Sequence, residues 1–487
     1  MSSPSKGVPG KPNALATATV QFAETAANKD FRIDSEFWTQ SPQRNPKLTY
    51  SPIGDCLLVS QYGVSMAMNE SGEGSPIYRM DEIHNMICDF EVGKCAQLSD
   101  SEVERHTLND RDVLFNRTNS YEWVGRTGVY RSTGDEAFVF ASYLVRFVPD
   151  AAKLLPEYLA AFLSSRFGVA DIRRRSRPSI NQTNVNPEEV KAIPIPLLHL
   201  DTQSKIRALF DEAVAALLEA RAVYDEASLL LASVIQGTWT DGEIPSVNVV
   251  GFSSSFGLNG RIDAEYYQPR YEGIEAQLRA SPLGVDLLTD ACEVSEEGFV
   301  PIPTVSYRYI ELSNIDSTGS IIGHTDALGS DLPTRARRRV RSGDVLVSSV
   351  EGSLGSCAMV GDDYDGALCS TGFYIIRHKT LSPEALLVLV KSPLVQSMLK
   401  QACSGTILAA MTLPEFRGVI LPRLDSDTQL QLRDLIRRNR QAKTLSANLL
   451  TLARQTVECA IETDEATAVE FLQTEYAAQH CDATVPA

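Results

Sequence analysis

The sequence contains no Cys-x-x-Cys pair, no run of 18 apolar residues and no apolar stretch near its start. Its nine cysteines stand singly, which argues against a disulfide framework or a structural zinc site and predicts a reducing compartment. Because long apolar runs are missing, there is no candidate membrane span and no secretion signal. The sequence therefore predicts a soluble cytoplasmic protein with no membrane partner.

Signatures of catalysis and of cofactor binding are also lacking. We find no phosphate-binding loop, no methyl-donor motif and no zinc-protease motif, and the six histidines are not clustered. The nearest approach to a metal-dependent nuclease site is Asp171 with Glu189 and Lys191, but a related segment, "PEFRG" (414–418), does not keep that spacing. The sequence predicts a binding protein without cofactor or metal. The nuclease alternative would require that Glu189→Ala abolish metal-dependent cleavage.

Charge is unevenly distributed along the chain. The 62 acidic residues outnumber the 45 basic ones, and the net charge of −17 argues against general affinity for nucleic acid. Two segments depart from this balance, because "RFGVADIRRRSR" (166–177) and "RARRRVR" (335–341) each contain five arginines. Such runs are often solvated faces, but they can also contact phosphates.

An internal repeat organises the chain. "FRIDSEFW" (31–38) returns as "GRIDAEYY" (260–267), 229 residues further on, and "YRMDEIHNM" (78–86) aligns with "YRYIELSNI" (307–315) at the same offset. Further pairs follow with small changes of offset: "RDVLFNRTNSYEWVGRTGVY" (111–130) with "GDVLVSSVEGSLGSCAMV" (343–360), "SYLVRF" (142–147) with "FYIIRH" (373–378), and "DTQSKIRALF" (201–210) with "DTQLQLRDLI" (427–436). The chain is two copies of one module.

Each copy contains short β-branched runs, then helices that begin at proline, and then a long helix. Apolar residues at steps of four and three mark the first long helix as a coiled-coil strand: Ile206, Phe210, Ala213, Leu217, Ala220, Tyr224, Ala227, Leu231 and Val234. The predicted fold class is α/β, with two tandem strand-rich globules separated and followed by long helices that pair as an antiparallel coiled coil with pseudo-twofold symmetry. The predicted segments are a flexible leader (1–28), a first globule (29–200), a central helix (201–238), a second globule (239–426), a C-terminal helix (427–461) and an acidic tail (462–487).

A central helix of this length spans about 54 Å at ~1.5 Å per residue. That distance corresponds to one to two turns of B-DNA at ~34 Å per turn. Two different heads held at a set distance would suit a DNA site with two unlike halves and an unread gap.

The repeated order of motifs resembles the specificity (S) subunits of type I restriction-modification enzymes, over residues 31 to 461. The resemblance implies that each globule is a target recognition domain that reads one half of a bipartite, asymmetric site in double-stranded DNA. It also implies that the helices set the gap and seat two methyltransferase (M) subunits, and that a motor-nuclease (R) subunit joins for cleavage. The chain itself would be the non-catalytic member of the complex.

Base reading needs Arg toward guanine, Asn or Gln toward adenine, and Ser or Thr toward either base. In the first module, phosphate contacts are expected from Arg173, Arg174, Arg175 and Arg177, and base contacts from Ser179, Asn181, Gln182 and Asn184. The resemblance adds the segment Asn116, Arg117, Thr118 and Asn119. In the second module the candidates are Ser404 and Thr406 for bases, with Arg335, Arg337, Arg338 and Arg339 for the backbone.

One alternative of a different class stays open. The chain could be a two-headed scaffold whose modules bind peptides or another protein and never DNA. A neighbouring gene for an adenine methyltransferase would favour the specificity subunit over this scaffold.

Overall fold

A computed structural model describes residues 18–27, 31–42, 44–134, 136–179, 182–235, 247–256, 260–405 and 408–482. The chain divides into two compact units: unit 1 comprises Met1–Ala216 and Thr444–Ala487, and unit 2 comprises Leu217–Lys443. Both units mix helices and strands, so the predicted α/β class with two globules and long helices is confirmed. Within the described ranges, no helix combines the length and apolarity that a membrane crossing requires.

The helices of the described residues are α1 (Phe22–Ala27), α2 (Ser35–Thr39), α3 (Asp100–His106), α4 (Pro156–Ser164), α5 (Arg166–Arg175), α6 (Pro187–Lys191), α7 (Leu200–Val234), α8 (Pro269–Arg279), α9 (Leu288–Ala291), α10 (Pro383–Lys391), α11 (Pro393–Ala402), α12 (Leu413–Arg417), α13 (Ser426–Glu462) and α14 (Glu465–Asp482). Proline stands in the first turn of α4 and α10, where its missing N–H leaves no intrahelical bond unmade. The acidic tail is largely helical in α14, which the charge pattern alone does not predict.

The strands of unit 1 are β1 (Tyr50–Pro52), β2 (Leu57–Tyr62), β3 (Ser75–Tyr78), β4 (Ile83–His84), β5 (Ile87–Cys88), β6 (Cys95–Ala96), β7 (Val113–Asn116), β8 (Thr118–Asn119), β9 (Thr127–Val129), β10 (Val139–Phe140), β11 (Leu144–Pro149), β12 (Arg177–Pro178), β13 (Thr183–Asn184) and β14 (Pro194–Pro196). Its largest sheet has the strand order β2-β11-β7-β9-β5-β4. Every residue of β7 is buried, as expected for a central strand covered on both faces.

The strands of unit 2 are β15 (Val285–Leu287), β16 (Cys292–Ser295), β17 (Ser306–Ile310), β18 (Thr325–Leu328), β19 (Ala336–Arg339), β20 (Val345–Ser348), β21 (Ala358–Met359), β22 (Leu368–Ser370), β23 (Phe373–His378), β24 (Cys403–Ser404), β25 (Ala410–Met411) and β26 (Ile420–Pro422). The order β16-β23-β20-β21 repeats the order β2-β11-β7-β9 of unit 1. In each unit, the strand before the long helix pairs antiparallel with an early strand, β14 with β1 and β26 with β15. The sequence repeat is therefore a repeat of connectivity.

The structure changes two registers of the sequence alignment. Leu144 pairs with Asn116 and Phe373 pairs with Ser348, so "SYLVRF" (142–147) and "FYIIRH" (373–378) align two residues away from the sequence match. Val139 and Leu368 occupy equivalent places, and their parallel partners are Ile77 and Tyr309, so Tyr78 corresponds to Ile310 and not to Tyr307. Two side-chain turns agree with this register, since the N–H of Arg79 donates to Glu82 and the N–H of Glu311 donates to Asn314. The Tyr-Arg pairs at 78–79 and 307–308 favoured a sequence alignment that differs from the structural one by three residues.

The repeated Arg-Ile-Asp motif attaches a leading segment to the end of a helix. Arg32 donates to the Asp34 carboxylate at 2.5 and 2.9 Å, and also to the carbonyls of Arg174 and Arg175 at 3.2 Å each. Those carbonyls belong to the last turn of α5, which has no intrahelical donors for them. The hydrogen bond from Arg32 also lowers the pKa of Asp34 against the opposing effect of burial.

The second copy repeats these bonds. Arg261 donates to Asp263 at 2.9 and 2.6 Å, and to the carbonyls of Gln401 and Cys403, at the end of α11, at 3.5 and 2.9 Å. The aromatic residue that ends the motif donates to the backbone of its arginine in both copies, from Trp38 to Arg32 and from Tyr267 to Arg261. The motif is repeated because both modules need this helix cap.

The long helices contribute to both units. Unit 1 contains residues 200–216 of α7 and 444–462 of α13, whereas unit 2 contains residues 217–234 and 426–443. Each unit thus holds the first part of one long helix and the last part of the other, as antiparallel pairing requires. In unit 2 the Asn439 side chain donates to the Ala220 carbonyl at 2.6 Å. Along α7, the predicted seam residues are buried or half-buried.

Candidate nucleic-acid interface

Two of the predicted contact segments of unit 1 meet in one small sheet with the order β12-β13-β8. Asn184 pairs with Thr118 on one side and with Arg177 on the other. The Thr118 hydroxyl also donates to the Asn184 side chain at 2.7 Å. The segments 116–119 and 177–184, far apart in sequence, therefore form one continuous surface element.

The inner part of this element is buried scaffold. Asn116 is fully buried, accepts from the N–H of Thr118 at 3.2 Å and donates to the Met80 carbonyl at 3.3 Å. Its counterpart Ser348 makes the same turn by accepting from the N–H of Val350 at 3.2 Å. Asn116 and Thr118 thus shape the element from inside. The Asn116 side chain satisfies buried backbone groups, and the Thr118 hydroxyl donates to the Asn184 side chain.

The outer part is exposed. Arg177, Ser179 and Gln182 are exposed, while Asn119 and Asn184 are half-buried. The N–H of Ser179 donates to the Gln182 carbonyl at 2.7 Å, which closes the turn between β12 and β13. Asn181, the predicted base reader at the tip, lies outside the described residues.

The three arginines of the run 173–175 differ in exposure, because successive residues of α5 point in different directions. Arg173 is exposed, and its guanidinium lies 5.6 Å from the centre of the Tyr121 ring. Arg174 and Arg175 are buried, and both donate to the carboxylate of Asp171. Burial lowers the pKa of Arg175, while the Asp171 carboxylate acts in the opposite direction. Because charges this deep need partners, Arg174 and Arg175 are committed to the interior in this structure.

Exposed aromatic residues, which were missing from the predicted set, surround these groups. Tyr121 and Trp123 are each 49% exposed, and Arg126 lies 3.6 Å from the centre of the Trp123 ring. Arg117 is half-buried, donates to the Ser142 carbonyl at 3.3 Å and lies 5.3 Å from the centre of the exposed Tyr62 ring. Alternation of basic and aromatic residues in "NRTNSYEWVGR" (116–126) is the sequence signal for this surface.

In unit 2 the basic run lies on β19, at the end of the β18-β17-β22-β19 sheet. Arg337 and Arg339 are exposed, and Arg338 is half-buried and donates to the Phe373 carbonyl. Arg335 is exposed and donates to Glu311 at 3.0 Å, a hydrogen bond that raises its pKa. Arg337 donates to the Thr334 carbonyl at 2.9 Å. Four guanidinium groups therefore follow one strand, and three of them, those of Arg335, Arg337 and Arg338, bond to protein groups.

Backbone hydrogen bonds connect this strand to the hairpin of β24 and β25. Thr371 donates to Arg335, Ser349 donates to Gly372, and Met411 donates to Ser349. Ser404, on β24, is exposed, whereas Thr406 lies outside the described residues. The predicted contact segments of unit 2 thus lie on connected elements, as in unit 1, but with different chemistry.

The nuclease alternative is not supported by the surroundings of its residues. Asp171 faces two arginines, Arg175 also lies 3.9 Å from Glu189, and Lys191 pairs with Glu188 at 2.7 Å. Within the ranges that the structure describes, no three His, Cys, Asp or Glu side chains form a group that could hold a metal ion. Carboxylates already neutralised by arginine are poor ligands for a divalent cation.

No family model matches the chain. The Type I restriction enzyme EcoKI specificity subunit of Escherichia coli (strain K12) is 30% identical over 147 residues, which cover 30% of this chain and 31% of that protein. The proposed specificity subunit of the type I restriction enzyme MjaX from Methanocaldococcus jannaschii is 26% identical over 160 residues, 32% of this chain and 37% of that protein. The chain thus matches about a third of the length of each curated relative.

Among solved structures, the S subunit of a type I restriction-modification system from M. genitalium is similar with a TM-score of 0.38 and 12% identity, covering 86% of this chain and 97% of that chain. The resemblance drawn from the repeated motifs is confirmed by the curated relatives, since both carry the description of specificity subunits.

Proposed function

We propose that this chain is the DNA-specificity subunit of a type I restriction-modification complex, or of a related methylation-based phage-defence complex. Each globule reads one half of a bipartite, asymmetric site, and the chain itself catalyses no reaction. The observation that carries the proposal is the duplicated module, in which the strand order β2-β11-β7-β9 of unit 1 recurs as β16-β23-β20-β21 in unit 2 while the exposed residues differ. A shared scaffold with divergent surfaces suits the reading of two unlike half-sites.

In unit 1, we assign phosphate contacts to Arg173 and Arg177, the exposed members of the predicted set. Base contacts are assigned to Ser179 and Gln182, which present side-chain hydroxyl and amide groups at the turn between β12 and β13, and to Asn181, which lies outside the described residues. The buried members, Asn116, Thr118, Arg174 and Arg175, support this surface from below.

In unit 2, backbone contacts are assigned to Arg339, together with Arg335, Arg337 and Arg338 once DNA competes for their present hydrogen-bond partners. Ser404 and Thr406 are the proposed base readers. Because these two candidates carry hydroxyl groups where unit 1 also has amides, the second half-site is read by different chemistry from the first.

The partners of the complex follow from the same proposal. The long helices set the gap between the half-sites and dock two M subunits, which carry out the methylation. An R subunit joins for cleavage where the system restricts DNA. Under this proposal, methylation and cleavage are carried out by the partners.

Mapping of modified adenines in the host genome tests the proposed function. With the gene present, methylation is expected at one interrupted sequence motif of fixed gap length, and deletion of the gene should remove that motif entirely. A complemented strain serves as the control. If the methylation pattern is the same with and without the gene, the two-headed protein scaffold becomes the better explanation.

Replacing Arg177 or Arg173 by alanine tests the assigned phosphate contacts. Each change should weaken binding of the complete complex to all sequences alike and reduce the slope of log affinity against log salt by about 1. Lys153→Ala is the matched control, since Lys153 is an exposed cation of the same unit that pairs with Asp150. An unchanged salt slope in both variants would remove these two arginines from the interface.

A further inference from the structure

The turn before β7 and the turn before β20 are built alike. Asp112 accepts from the N–H of Asn109 at 2.9 Å, and Asp344 accepts from the N–H of Arg341 at 2.8 Å. The residue before each aspartate has a left-handed backbone, with φ of 72° at Arg111 and 84° at Gly343. Glycine is the usual residue for this conformation, so arginine at 111 is strained and calls for another explanation.

Arg111 joins the globule of unit 1 to its long-helix segment. Its guanidinium donates to Glu157 in the first turn of α4 and to Asp211 of α7, the latter at 2.8 Å. Arg131 donates to the same Asp211 carboxylate at 2.7 Å. Burial alone would lower the pKa of Arg111, but the two carboxylates raise it, so the group stays charged.

Unit 2 makes the same junction with the charges exchanged. The repeat aligns Asp211 with Arg437 of α13, and Arg437 donates directly to Glu384, the counterpart of Glu157, at 3.0 Å. The position of Arg111 is occupied by Gly343. In unit 1 the cations belong to the globule, whereas in unit 2 the cation belongs to the helix.

A second position of the globule also changes from arginine to glycine. Arg131 aligns with Gly361, and a side chain at 361 would collide with the guanidinium of Arg440 from α13. Both arginines of the unit 1 junction therefore correspond to glycines in unit 2. Arg440 aligns with a valine of α7, so the exchange of charge on the helix is the one between Asp211 and Arg437, and the glutamate is the junction residue that both units keep.

We propose that Asp211 and Arg437 are positioning residues, each of which fixes the orientation of a globule on the long-helix segment of its own unit. The inference rests on the proposed function, because the orientation of the globules on the helices then determines the gap length that the complex accepts. A buried glutamate at the start of α4 or α10 is the fixed point of each junction. The arginine comes from the globule in unit 1 and from the long helix in unit 2. In both units it makes a charge-assisted hydrogen bond of defined direction to the glutamate.

Unit 2 carries an additional attachment. The Lys443 ammonium group of α13 donates to Asp316, Thr318 and Ser320 in one loop of the globule. Burial raises the pKa of Asp316. Lys443 and the backbone donors lower this pKa by more than burial raises it, so the net shift is downward. Since Arg437 is 59% exposed and its pair is correspondingly weakened by solvent, this second contact supports the same orientation.

The test is the distribution of gap lengths methylated in vivo by the complete complex. Asp211→Arg places three guanidinium groups together and should raise methylation at sites whose gap differs by one base pair about tenfold, the effect of losing a charge-assisted hydrogen bond. The half-site sequences should stay the same. Asp211→Arg combined with Arg111→Gly and Arg131→Gly copies the unit 2 junction and should restore the single gap length.

Asp211→Asn, which keeps the shape of the side chain, is measured in parallel so that a folding failure of Asp211→Arg leaves the question answerable. If both variants lower methylation at the original gap without broadening it, the junction contributes stability alone and the inference is overturned. Failure of the proposed function gives a different result, since the wild-type gene would then direct no gap-defined methylation at all.

Discussion

Replacement of Asp171 by alanine is expected to lower the free energy of unfolding by about 3–5 kcal/mol, as measured by urea denaturation. The Asp171 carboxylate is 3% exposed and accepts from Arg174 at 2.7 Å and also from Arg175. Removing it leaves the buried Arg174 guanidinium without its counter-charge and leaves Arg175 with the more distant carboxylate of Glu189, at 3.9 Å. The penalty therefore comes from the arginines that remain, more than from the interaction that is lost.

Unit 2 provides the design of the matched control. The positions of Asp171, Arg174 and Arg175 correspond in α11 to Met398, Gln401 and Ala402, and Met398 is only 8% exposed. The triple variant Asp171→Met, Arg174→Gln, Arg175→Ala should recover most of the lost stability, because well-packed neutral side chains replace a buried charge cluster at little net cost.

The same variants separate two roles of the arginine run. If Asp171→Ala leaves stability unchanged but alters DNA binding, Arg174 and Arg175 can reach solvent and the original prediction of phosphate contacts applies to them. If the triple variant folds and the complex keeps its methylation motif, these two arginines support the surface from inside. Arg173 and Arg177 then remain the phosphate contacts of this run.

The sequence predicted the two-module α/β organisation well, because patterns within a few residues indicate each element and because these patterns occur in both copies. Seam residues such as Phe210 and Ala227 recur at helical spacing, and proline starts α4 and α10 in both copies. Such signals depend on neighbours a few residues away, so they can be read without knowing the tertiary structure.

The division of the arginine run could not be read in this way. Arg174 donates to the Phe37 carbonyl at 2.7 Å, 137 residues earlier in the chain, and such a contact leaves no local signal. Local reading treats "RRR" as one solvated face, although on a helix successive residues point about 100° apart. The exposed Tyr121 and Trp123 were missed for a related reason, because apolar residues are assigned to the interior by default.

The affinity of the isolated chain for its DNA site should rise about a thousandfold when M subunits are added, from the micromolar to the nanomolar range at physiological salt. The chain carries a net charge of −17, and the phosphate contacts we assign to unit 1 number only two arginines. Neutralisation of so few phosphates supplies little counterion release. Titration of a labelled duplex, monitored by fluorescence anisotropy with and without M subunits, measures the change.

Two controls give this prediction its discriminating power. The complete complex should bind a duplex with both half-sites scrambled much more weakly than the specific duplex, because the M subunits add contacts that do not depend on sequence while the globules supply the sequence preference. The slope of log affinity against log salt should steepen in the complex, since the added contacts are largely to phosphates. Tight, salt-insensitive binding by the lone chain would contradict the proposal, because salt-insensitive affinity does not come from phosphate contacts and would not need the M subunits.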